Sequence, residues 1–589
     1  MRALKALLVV AVLGLAGASS SLVRLTGLAP ARAASHSEFA TSGSGGDASA
    51  TVGGAPLTSA GGQVPNSIRA LWVIAENQKP GSDQWRITDA GKDGDIEGFA
   101  DHVSAQQGDR VGLYVSQGKG STYRIEAYRM GYYGGHGARL IWKSDPLPGR
   151  RQAKAHRDTS TNMIEAPWDP STTVDISRDW PPGSYLFKLV ADGGAQHWIP
   201  LTVRDDSSTA AFVIQNSVTT WQAYNLWGGY DLYAGPSGYN DRARIVSFDR
   251  PYALGSGGGD FPGNEFPFVS FAESLGLDVT YWTDVDLHAR PELLLKHKAL
   301  ISLGHDEYWS GGMRDAATRA RDNGVNLAFL GANAIFRRIR FSESPLGPNR
   351  REIAYKSAAE DPLRSKNKLD VTVNFRDPPL NDPESSLIGQ QYECNPVRAD
   401  MVVADATSWV WEGTGVVNGQ HLPNVIGTEY DRFDRAHSPK NVSILAHSPV
   451  KCRTLRSFSD MTYYSAQSGA GVFATGTNWW VSKFSSPCID GSCPHDDTVI
   501  KVTTNVLKAF GLGPAGLLHP STATDLSTLP VDTTPATPST TAPRSRRSTT
   551  RTSTKTSSKT TTKTTVATTA GGARPSATSP GPGSSPSLP

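Results

Sequence analysis

The sequence is poor in cysteine and in long hydrophobic runs, and each shortage excludes a class of protein. Its 589 residues include only four cysteines, too few for a small secreted scaffold held together by dense disulfides. Its mean hydropathy is −0.35, and it lacks the several apolar runs of about 20 residues that a polytopic membrane protein needs. The length allows three or four folded units of roughly 150 residues each.

Positive charge is also scarce in the body of the chain, although the whole sequence carries a formal net charge of +3. Residues 1–33 carry +4 and residues 533–589 carry +8, and neither segment contains an acidic residue. Residues 34–532 hold 46 basic and 55 acidic residues and therefore carry −9. Because the body has no basic patch, we expect no nucleic-acid partner.

The first 33 residues have the pattern of a secretion signal. Arg2 and Lys5 precede an apolar stretch over residues 6–16, and residues 31–33 supply small side chains at a cleavage spacing. The apolar stretch is too short for a comfortable membrane span, so a cleaved signal peptide is favoured over an uncleaved anchor. This predicts a secreted or cell-envelope protein. Residues 34–65, rich in Gly, Ser and Ala, are predicted to be a disordered linker.

Residues 516–589 are predicted to form a disordered tail. Of residues 533–589, 29 are Ser or Thr, with scattered Pro, Lys and Arg. Such a composition cannot bury enough apolar surface to offset the entropy of ordering, and it is typical of O-glycosylated stalks. Its positive charge predicts contact with an anionic cell-wall polymer, and the alternative is a solvated tail without a partner.

Export would permit the four cysteines to form disulfides. Cys488 and Cys493 enclose four residues, a turn short enough for one bond, which leaves Cys394 to pair with Cys452. Four cysteines allow three pairings, and local spacing favours this one. A zinc site is disfavoured because there is no C-x-x-C pair and His495 alone does not complete one.

Residues 66–205 are predicted to form an antiparallel, immunoglobulin-like β-sandwich. Short β-type runs are broken by Gly and Pro, and the sequence between two of them is typical of a hairpin turn at residues 191–194. No stretch with a helical period is found there. The predicted strands cover residues 111–115, 123–128, 185–190 and 197–203.

From residue 206 to residue 515 the pattern changes to strands that alternate with helices. This alternation predicts βαβ units and a parallel sheet. Residues 340–480 are read as a strand-rich insertion into this α/β unit. The predicted strands cover residues 211–214, 244–248, 277–281, 299–302 and 325–330, with helices that end at Gly276, Gly324 and Gly511.

Two segments of this α/β unit could carry chemistry. Residues 301–310 run from a buried strand through a turn that contains His305, Asp306 and Glu307, and ligands bind beyond the carboxyl ends of such strands. A solvated acidic turn is the alternative. Residues 219–230 follow the first strand and are rich in aromatic and amide side chains, which indicates either a site at the same edge or a structural lid.

Four stretches of the chain together resemble the large (β) subunit of N,N-dimethylformamidase, over about residues 70–515. They are residues 76–85, residues 127–133 (Ala-Tyr-Arg-Met-Gly-Tyr-Tyr), residues 223–225 (Ala-Tyr-Asn) and residues 304–309 (Gly-His-Asp-Glu-Tyr-Trp). The resemblance implies a glutamine-amidotransferase-like α/β domain. It also implies an amide hydrolase whose mononuclear iron is held by two tyrosines and one glutamate, with a histidine nearby.

Carried onto this sequence, the resemblance implies Glu307 and Tyr224 as iron ligands and His305 as the nearby histidine. By spacing, Tyr185 is the candidate for the second tyrosine, with Tyr308 and Tyr281 as substitutes. Phenolate and carboxylate oxygens are hard donors that suit a ferric ion, and a bound metal polarises a carbonyl and activates water.

The expected catalytic residues are His305, Glu307 and Glu429. For Glu429, an exposed acid in the strand-rich insertion is the alternative. The expected substrate is a small amide-containing molecule, because the resemblance implies hydrolysis of non-peptide C–N bonds. The chain departs from the family in its predicted export.

Four other functions are alternatives to this one. A non-catalytic cell-wall or glycan-binding protein would use Trp221 and Trp227, because aromatic faces suit sugars and cationic ligands. A glycosidase would pair Asp306 or Glu307 with Glu429, and needs a defined separation between carboxylates. A cysteine hydrolase is disfavoured because all four cysteines lie beyond residue 390, and no G-x-S-x-G motif indicates a serine hydrolase.

Overall fold

The computed structural model of the protein describes residues 64–485 and 495–529. The signal sequence, almost all of the linker, the Cys488–Cys493 turn and residues 530–589 lie outside the described residues. The described residues belong to one structural unit. Among their helices, none combines the length and the apolar character needed to cross a membrane.

The first eleven strands build two larger sheets and one small hairpin. One sheet has the strand order β1-β3-β9, the other has the order β2-β11-β10-β4-β5 with β6 beside β4, and β7 pairs with β8. These strands are β1 (Ile96–Ala100), β2 (Ser104–Gln106), β3 (Arg110–Gln117), β4 (Thr122–Met130), β5 (Ala138–Lys143), β6 (Leu147–Pro148), β7 (His156–Asp158), β8 (Met163–Glu165), β9 (Thr172–Asp175), β10 (Gly183–Ala191) and β11 (Gln196–Arg204).

The two larger sheets enclose a shared hydrophobic core. Val111 and Val115 of β3 belong to the same buried cluster as Phe187 and Leu189 of β10, as in two sheets packed face to face. Antiparallel pairing of β10 with β11 confirms the hairpin. One helix, α1 (Leu71–Asn77), precedes the first strand. With seven residues it is too short to show a helical period in the sequence.

After residue 205 the chain forms thirteen further described strands and seven further described α-helices. The strands are β12 (Phe212–Asn216), β13 (Ile245–Ser247), β14 (Val279–Thr283), β15 (Ala299–His305), β16 (Tyr308–Ser310), β17 (Asn326–Ala332), β18 (Arg337–Ser344), β19 (Gly347–Ile353), β20 (Gln391–Val402), β21 (His421–Arg432), β22 (Ser443–Cys452), β23 (Leu455–Ser465) and β24 (Gly471–Ala474). The helices are α2 (Val218–Ala223), α3 (Phe261–Asn264), α4 (Phe266–Ser274), α5 (Asp284–Ala289), α6 (Gly311–Asp322), α7 (Ser385–Ile388) and α8 (Asp497–Leu512).

A seven-stranded sheet in the order β14-β12-β15-β17-β24-β23-β22 forms the centre of this part. Its first five strands pair in parallel, which confirms the predicted parallel sheet. β23 and β22 extend it in the antiparallel sense. Part of the predicted insertion therefore supplies strands of the main sheet.

β13 was predicted to join the parallel sheet, and this was wrong. It pairs antiparallel with β19 in a separate sheet of order β13-β19-β18-β16. The chain between α2 and β13 is irregular over more than twenty residues and does not form the crossover helix that would return a strand to the parallel sheet. β20 and β21 form a further two-stranded ribbon.

The helices begin and end largely where the sequence indicates. Ser310 is the N-cap of α6, since its Oγ accepts a hydrogen bond from the Met313 backbone N–H at 3.1 Å. Gly324 follows the helix with a φ of +89°, a conformation that favours glycine. At the other end of the chain α8 runs one residue past the predicted stop at Gly511.

Two glycines allow the strands that carry the site to approach each other. Gly304 of β15 pairs with Gly331 of β17, and a Cβ on Gly331 would lie 1.9 Å from the Gly304 carbonyl oxygen. Gly304 has a φ of +57°, and a Cβ there would lie 2.5 Å from the carbonyl oxygen of Asn264. Larger residues would therefore displace the end of β15.

Cys394 of β20 and Cys452 of β22 form a disulfide, which confirms that predicted pair. The bond joins the β20–β21 ribbon to the edge strand of the central sheet. Residues that were assigned to the tail also contact this edge. The Thr524 backbone N–H donates to the Val442 carbonyl at 3.1 Å, so the chain follows β22 for several residues beyond the predicted start of the tail at 516.

A buried ion pair joins β4 to α4. The Arg129 guanidinium donates to both carboxylate oxygens of Glu273, at 2.6 and 2.9 Å, and both side chains are fully buried. Tyr281 donates its hydroxyl to the same carboxylate at 2.6 Å. Tyr281, one of the substitutes for the second tyrosine ligand, is therefore engaged with Glu273.

Candidate active site

Glu307 lies at the carboxyl edge of the central sheet, in the short connection between β15 and β16. Its backbone N–H donates to Thr220 Oγ1 of α2 at 2.9 Å, and its carbonyl accepts from the Arg337 backbone N–H at 2.9 Å. The side chain is almost completely buried. Contacts from two different elements therefore fix the backbone that carries the carboxylate.

Two tyrosine hydroxyls converge on this carboxylate. Tyr224, directly after α2, donates to Glu307 Oε2 at 2.6 Å. Tyr233, nine residues further along the same loop, lies 2.9 and 2.8 Å from Glu307 Oε1 and Oε2. The two hydroxyls are 2.8 Å apart, so three oxygen-bearing groups meet at one point.

Tyr308 adds a third phenol behind this group. Its hydroxyl donates to the Tyr233 hydroxyl at 2.7 Å. Burial, and next the negative charge of Glu307, raise the pKa values of Tyr224, Tyr233 and Tyr308 well above the ordinary range. Without a bound cation, all three side chains are therefore neutral phenols.

One positive group contacts the carboxylate, and a buried amine lies beside Tyr233. Arg337 Nε donates to Glu307 Oε1 at 3.2 Å, and Lys356 Nζ lies 3.1 Å from the centre of the Tyr233 ring. Burial lowers the pKa of Lys356 well below its usual value. Burial alone would raise the pKa of Glu307, but the charges of Arg337 and His305 outweigh it and hold that pKa below its usual value. Glu307 is therefore ionised.

His305 and Glu429 complete the cluster. His305 Nε2 lies 3.5 Å from Glu307 Oε2 and 3.5 Å from Glu429 Oε2. Burial would lower the pKa of His305, but Glu429 and Glu307 raise it above the usual value. Burial raises the pKa of Glu429. Among the described residues, neither His305 Nε2 nor Glu429 Oε2 has a hydrogen-bond partner, so both are available to a bound molecule.

Tyr185, assigned by spacing as the second tyrosine, does not lie in this cluster. Its hydroxyl donates to the Pro181 carbonyl at 2.7 Å, and its ring stacks on Trp180 inside the core of the first two sheets. Alternating strand residues point to opposite faces, and this position of β10 faces that core. Tyr233 occupies the place expected of the second tyrosine.

The structure also adds residues that the sequence did not indicate. Tyr233 lies three residues beyond Tyr230, where the aromatic loop was taken to end, so a longer reading of that loop could have included it. Arg337 and Lys356 belong to β18 and to the chain after β19, and no local motif distinguishes them. Only the tertiary structure brings Arg337 to Glu307 and Lys356 to Tyr233.

The two tryptophans of the glycan-binding alternative are both engaged in hydrogen bonds. Trp221 is buried, with its Nε1 donating to Glu265 at 2.9 Å. Trp227 donates to Glu97 at 2.9 Å and contacts Trp168 edge to face. The indole of Trp221 is therefore closed to a sugar, whereas that of Trp227 is half-buried.

Asp306, one of the two candidate partners of Glu429 in a glycosidase, is engaged in local hydrogen bonds. Its carboxylate accepts hydrogen bonds from Ser302 Oγ at 2.8 Å and from Trp309 Nε1 at 2.7 Å. It is buried within the sheet edge. Asp306 therefore holds the turn, and Glu307 and Glu429 are the carboxylates that face His305.

The donor set at the site consists of oxygen atoms. No group of three or more His, Cys, Asp or Glu side chains suited to a metal occurs among residues 64–485 and 495–529. The candidate set is instead two phenols and one carboxylate, whose oxygens lie 2.6–2.9 Å from one another. Such hard donors fit a ferric ion, whose charge would favour loss of the phenol protons.

The fold and site together define a class of protein: a β-sheet region joined to a parallel α/β region, with tyrosines, carboxylates and a histidine at the sheet edge. The family described as "N,N-dimethylformamidase beta subunit-like, C-terminal" matches residues 124–493, which is more than half of the chain. The protein belongs to this family, as the sequence resemblance predicted. A search of curated proteins finds no match.

Proposed function

We propose that the protein is an exported, iron-dependent hydrolase of C–N bonds in small amides. One observation carries the proposal: the hydroxyls of Tyr224 and Tyr233 meet the carboxylate of Glu307 within hydrogen-bond distance. Membership of the dimethylformamidase-like family supports the same reaction class. We also propose the immunoglobulin-like and glutamine-amidotransferase-like labels for the two regions.

Tyr224, Tyr233 and Glu307 would hold the ion. When bound, a ferric ion would polarise the substrate carbonyl and lower the pKa of a coordinated water. The neighbouring Arg337 holds Glu307 in its ionised form through charge and a hydrogen bond. Burial of the cluster strengthens these electrostatic interactions, since the local dielectric constant is low.

His305 and Glu429 would move the protons of the reaction. Hydrolysis adds the hydroxyl of water to the carbonyl carbon and returns a proton to the leaving nitrogen. Glu429 Oε2, with its raised pKa and no hydrogen-bond partner, suits the acceptance of a proton from water. His305, protonated between two carboxylates, suits its delivery to the amine.

The experiment uses the purified full chain with metal analysis and a panel of N-substituted amides. We expect stoichiometric iron, and loss of both iron and activity in Glu307→Gln, Tyr224→Phe and Tyr233→Phe. Tyr185→Phe is the matched control, because that hydroxyl binds only the Pro181 carbonyl in the sheet core. A protein that holds no metal and gains no activity on addition of iron would contradict the proposal.

Export is part of the proposal and has its own support. The basic, apolar and small-residue segments of residues 1–33 follow the order of a signal peptide. The basic Ser/Thr-rich tail would bind an anionic wall polymer. Fractionation of cells that produce the full chain tests both points, and the protein in the cytosol at full length would contradict them.

A further inference from the structure

Glu429 lies opposite a bulge in the ribbon of β20 and β21. The pairing of these strands shifts register between Cys394 and Val397. Within that shift Asn395 and Pro396 of β20 oppose the single residue Glu429 of β21. A bulge leaves the hydrogen-bond ladder locally unpaired and re-aims a side chain, and bulges are frequent next to active sites.

Asn395 holds one oxygen of the Glu429 carboxylate. Its Nδ2 donates to Glu429 Oε1 at 2.6 Å, and both side chains are buried. The other oxygen, Oε2, has no hydrogen-bond partner in the part of the chain that the structure describes, and it lies 3.5 Å from His305 Nε2. The amide therefore determines which carboxylate oxygen is left to face the imidazole.

The disulfide holds the bulge in place at a point where the two strands lack ladder hydrogen bonds. Cys394 is the residue next to Asn395, and its partner Cys452 ends β22, the edge strand of the central sheet. The two cysteines are 58 residues apart in sequence. A covalent bond thus ties the unpaired segment of the ribbon to the sheet that carries His305 and Glu307.

We propose that Asn395 is a positioning residue for Glu429, and that the Cys394–Cys452 bond holds the bulge that carries Asn395. The expected effect on rate rests on the proposed function, because it requires Glu429 to act in hydrolysis. Asn395 contacts none of the three groups assigned to the iron. A change at Asn395 is therefore expected to affect proton transfer without affecting metal binding.

The test is a double-mutant cycle between Asn395→Ala and Glu429→Met in the full, iron-loaded chain. Asn395→Ala lowers kcat about 10-fold or more, as expected when a group that orients a functional side chain is lost, with KM and iron content unchanged. In the Glu429→Met background the same substitution has no further effect on kcat, because the group it positions is gone.

Two further variants complete the set. Cys394→Ala/Cys452→Ala follows the same pattern as Asn395→Ala, with a lower kcat only where Glu429 is present. Asn323→Ala removes an exposed amide at the end of α6 that donates only to the Arg319 carbonyl, and it leaves kcat unchanged. Equal losses of kcat in both Glu429 backgrounds, or no loss in either, would overturn the proposal.

The same four proteins of the double-mutant cycle are also unfolded in urea. The urea concentration at the midpoint of unfolding is a readout that does not depend on activity. Asn395→Ala shifts the midpoint less in the Glu429→Met background than in the parent chain, because the shared hydrogen bond is already lost. Identical shifts would overturn the proposal. If no amide is hydrolysed, the proposed function fails while the unfolding cycle still decides this inference.

Discussion

The hydroxyl of Tyr233 lies within 2.9 Å of both carboxylate oxygens of Glu307. The loop after α2 thereby reaches the connection between β15 and β16, two segments that are 74 residues apart in sequence. This contact defines the site, because it brings the second phenol to the carboxylate that already accepts from Tyr224. It also replaces Tyr185 in the candidate ligand set.

The first prediction compares Tyr233 and Tyr185 as candidates for the second tyrosine ligand of the iron. Tyr233→Phe removes one oxygen donor from the cluster, so we expect iron content to fall well below that of the parent chain. Tyr185→Phe keeps its full iron content, because its hydroxyl binds only the Pro181 carbonyl. Metal analysis of both purified variants measures the iron content. Loss of iron in Tyr185→Phe, with full iron content in Tyr233→Phe, would instead indicate Tyr185 as the ligand.

The buried pair of Arg129 and Glu273 gives a prediction about stability. Arg129→Met leaves the Glu273 carboxylate buried without its cation, so we expect the free energy of unfolding to fall by about 3–5 kcal/mol. Urea denaturation measures the change. Arg110→Met is the control, because its pair with Asp175 is exposed, and we expect little change there. Equal effects of the two variants would contradict the prediction.

The disulfide between Cys394 and Cys452 closes a loop of 58 residues. Its removal in Cys394→Ala/Cys452→Ala frees the unfolded chain, and loop entropy predicts a loss of about 4 kcal/mol in the free energy of unfolding. Urea denaturation at fixed pH checks the size of the loss. A double variant as stable as the parent would mean that the ribbon is held by packing alone.

His197 of β11 predicts a loss of stability in mild acid. Its burial lowers the pKa to about 4, whereas an unfolded histidine has a pKa of about 6.5. The unfolded chain therefore binds more protons between these values, and stability falls as the pH drops from about 6.5 towards about 4. We expect His197 to contribute a loss of about 2 kcal/mol between pH 7 and pH 5.

Urea denaturation of His197→Gln at pH 7 and pH 5 measures this contribution. The variant loses less stability than the parent over the same interval, while His421→Gln, at an exposed position, behaves like the parent. Parallel losses in the parent and in His197→Gln would show that the acid sensitivity comes from other groups.

Much of the architecture could be predicted because it depends on local pattern. The alternating side chains of β10 and β11 indicate two strands. The succession from β15 to α6 is indicated by side-chain periodicity and by the N-cap residue Ser310. β13 was misplaced because a strand of three residues has no pattern that specifies its partner. The strands β22 to β24 were taken for an insertion, since sequence order does not determine position in a sheet.

At the site, the sequence by itself determined the residues that share one segment: His305 and Glu307 on one turn, and Tyr224 in an aromatic loop. It also determined that residues 34–532 carry a net negative charge and that the two terminal segments carry a net positive charge. Only the tertiary structure decided that Tyr233 rather than Tyr185 meets Glu307 and that Arg337 binds its carboxylate. It also decided that the candidate Glu429 is buried beside His305 and not exposed. Contacts between distant segments depend on how the sheets pack, and local residue patterns do not specify that packing.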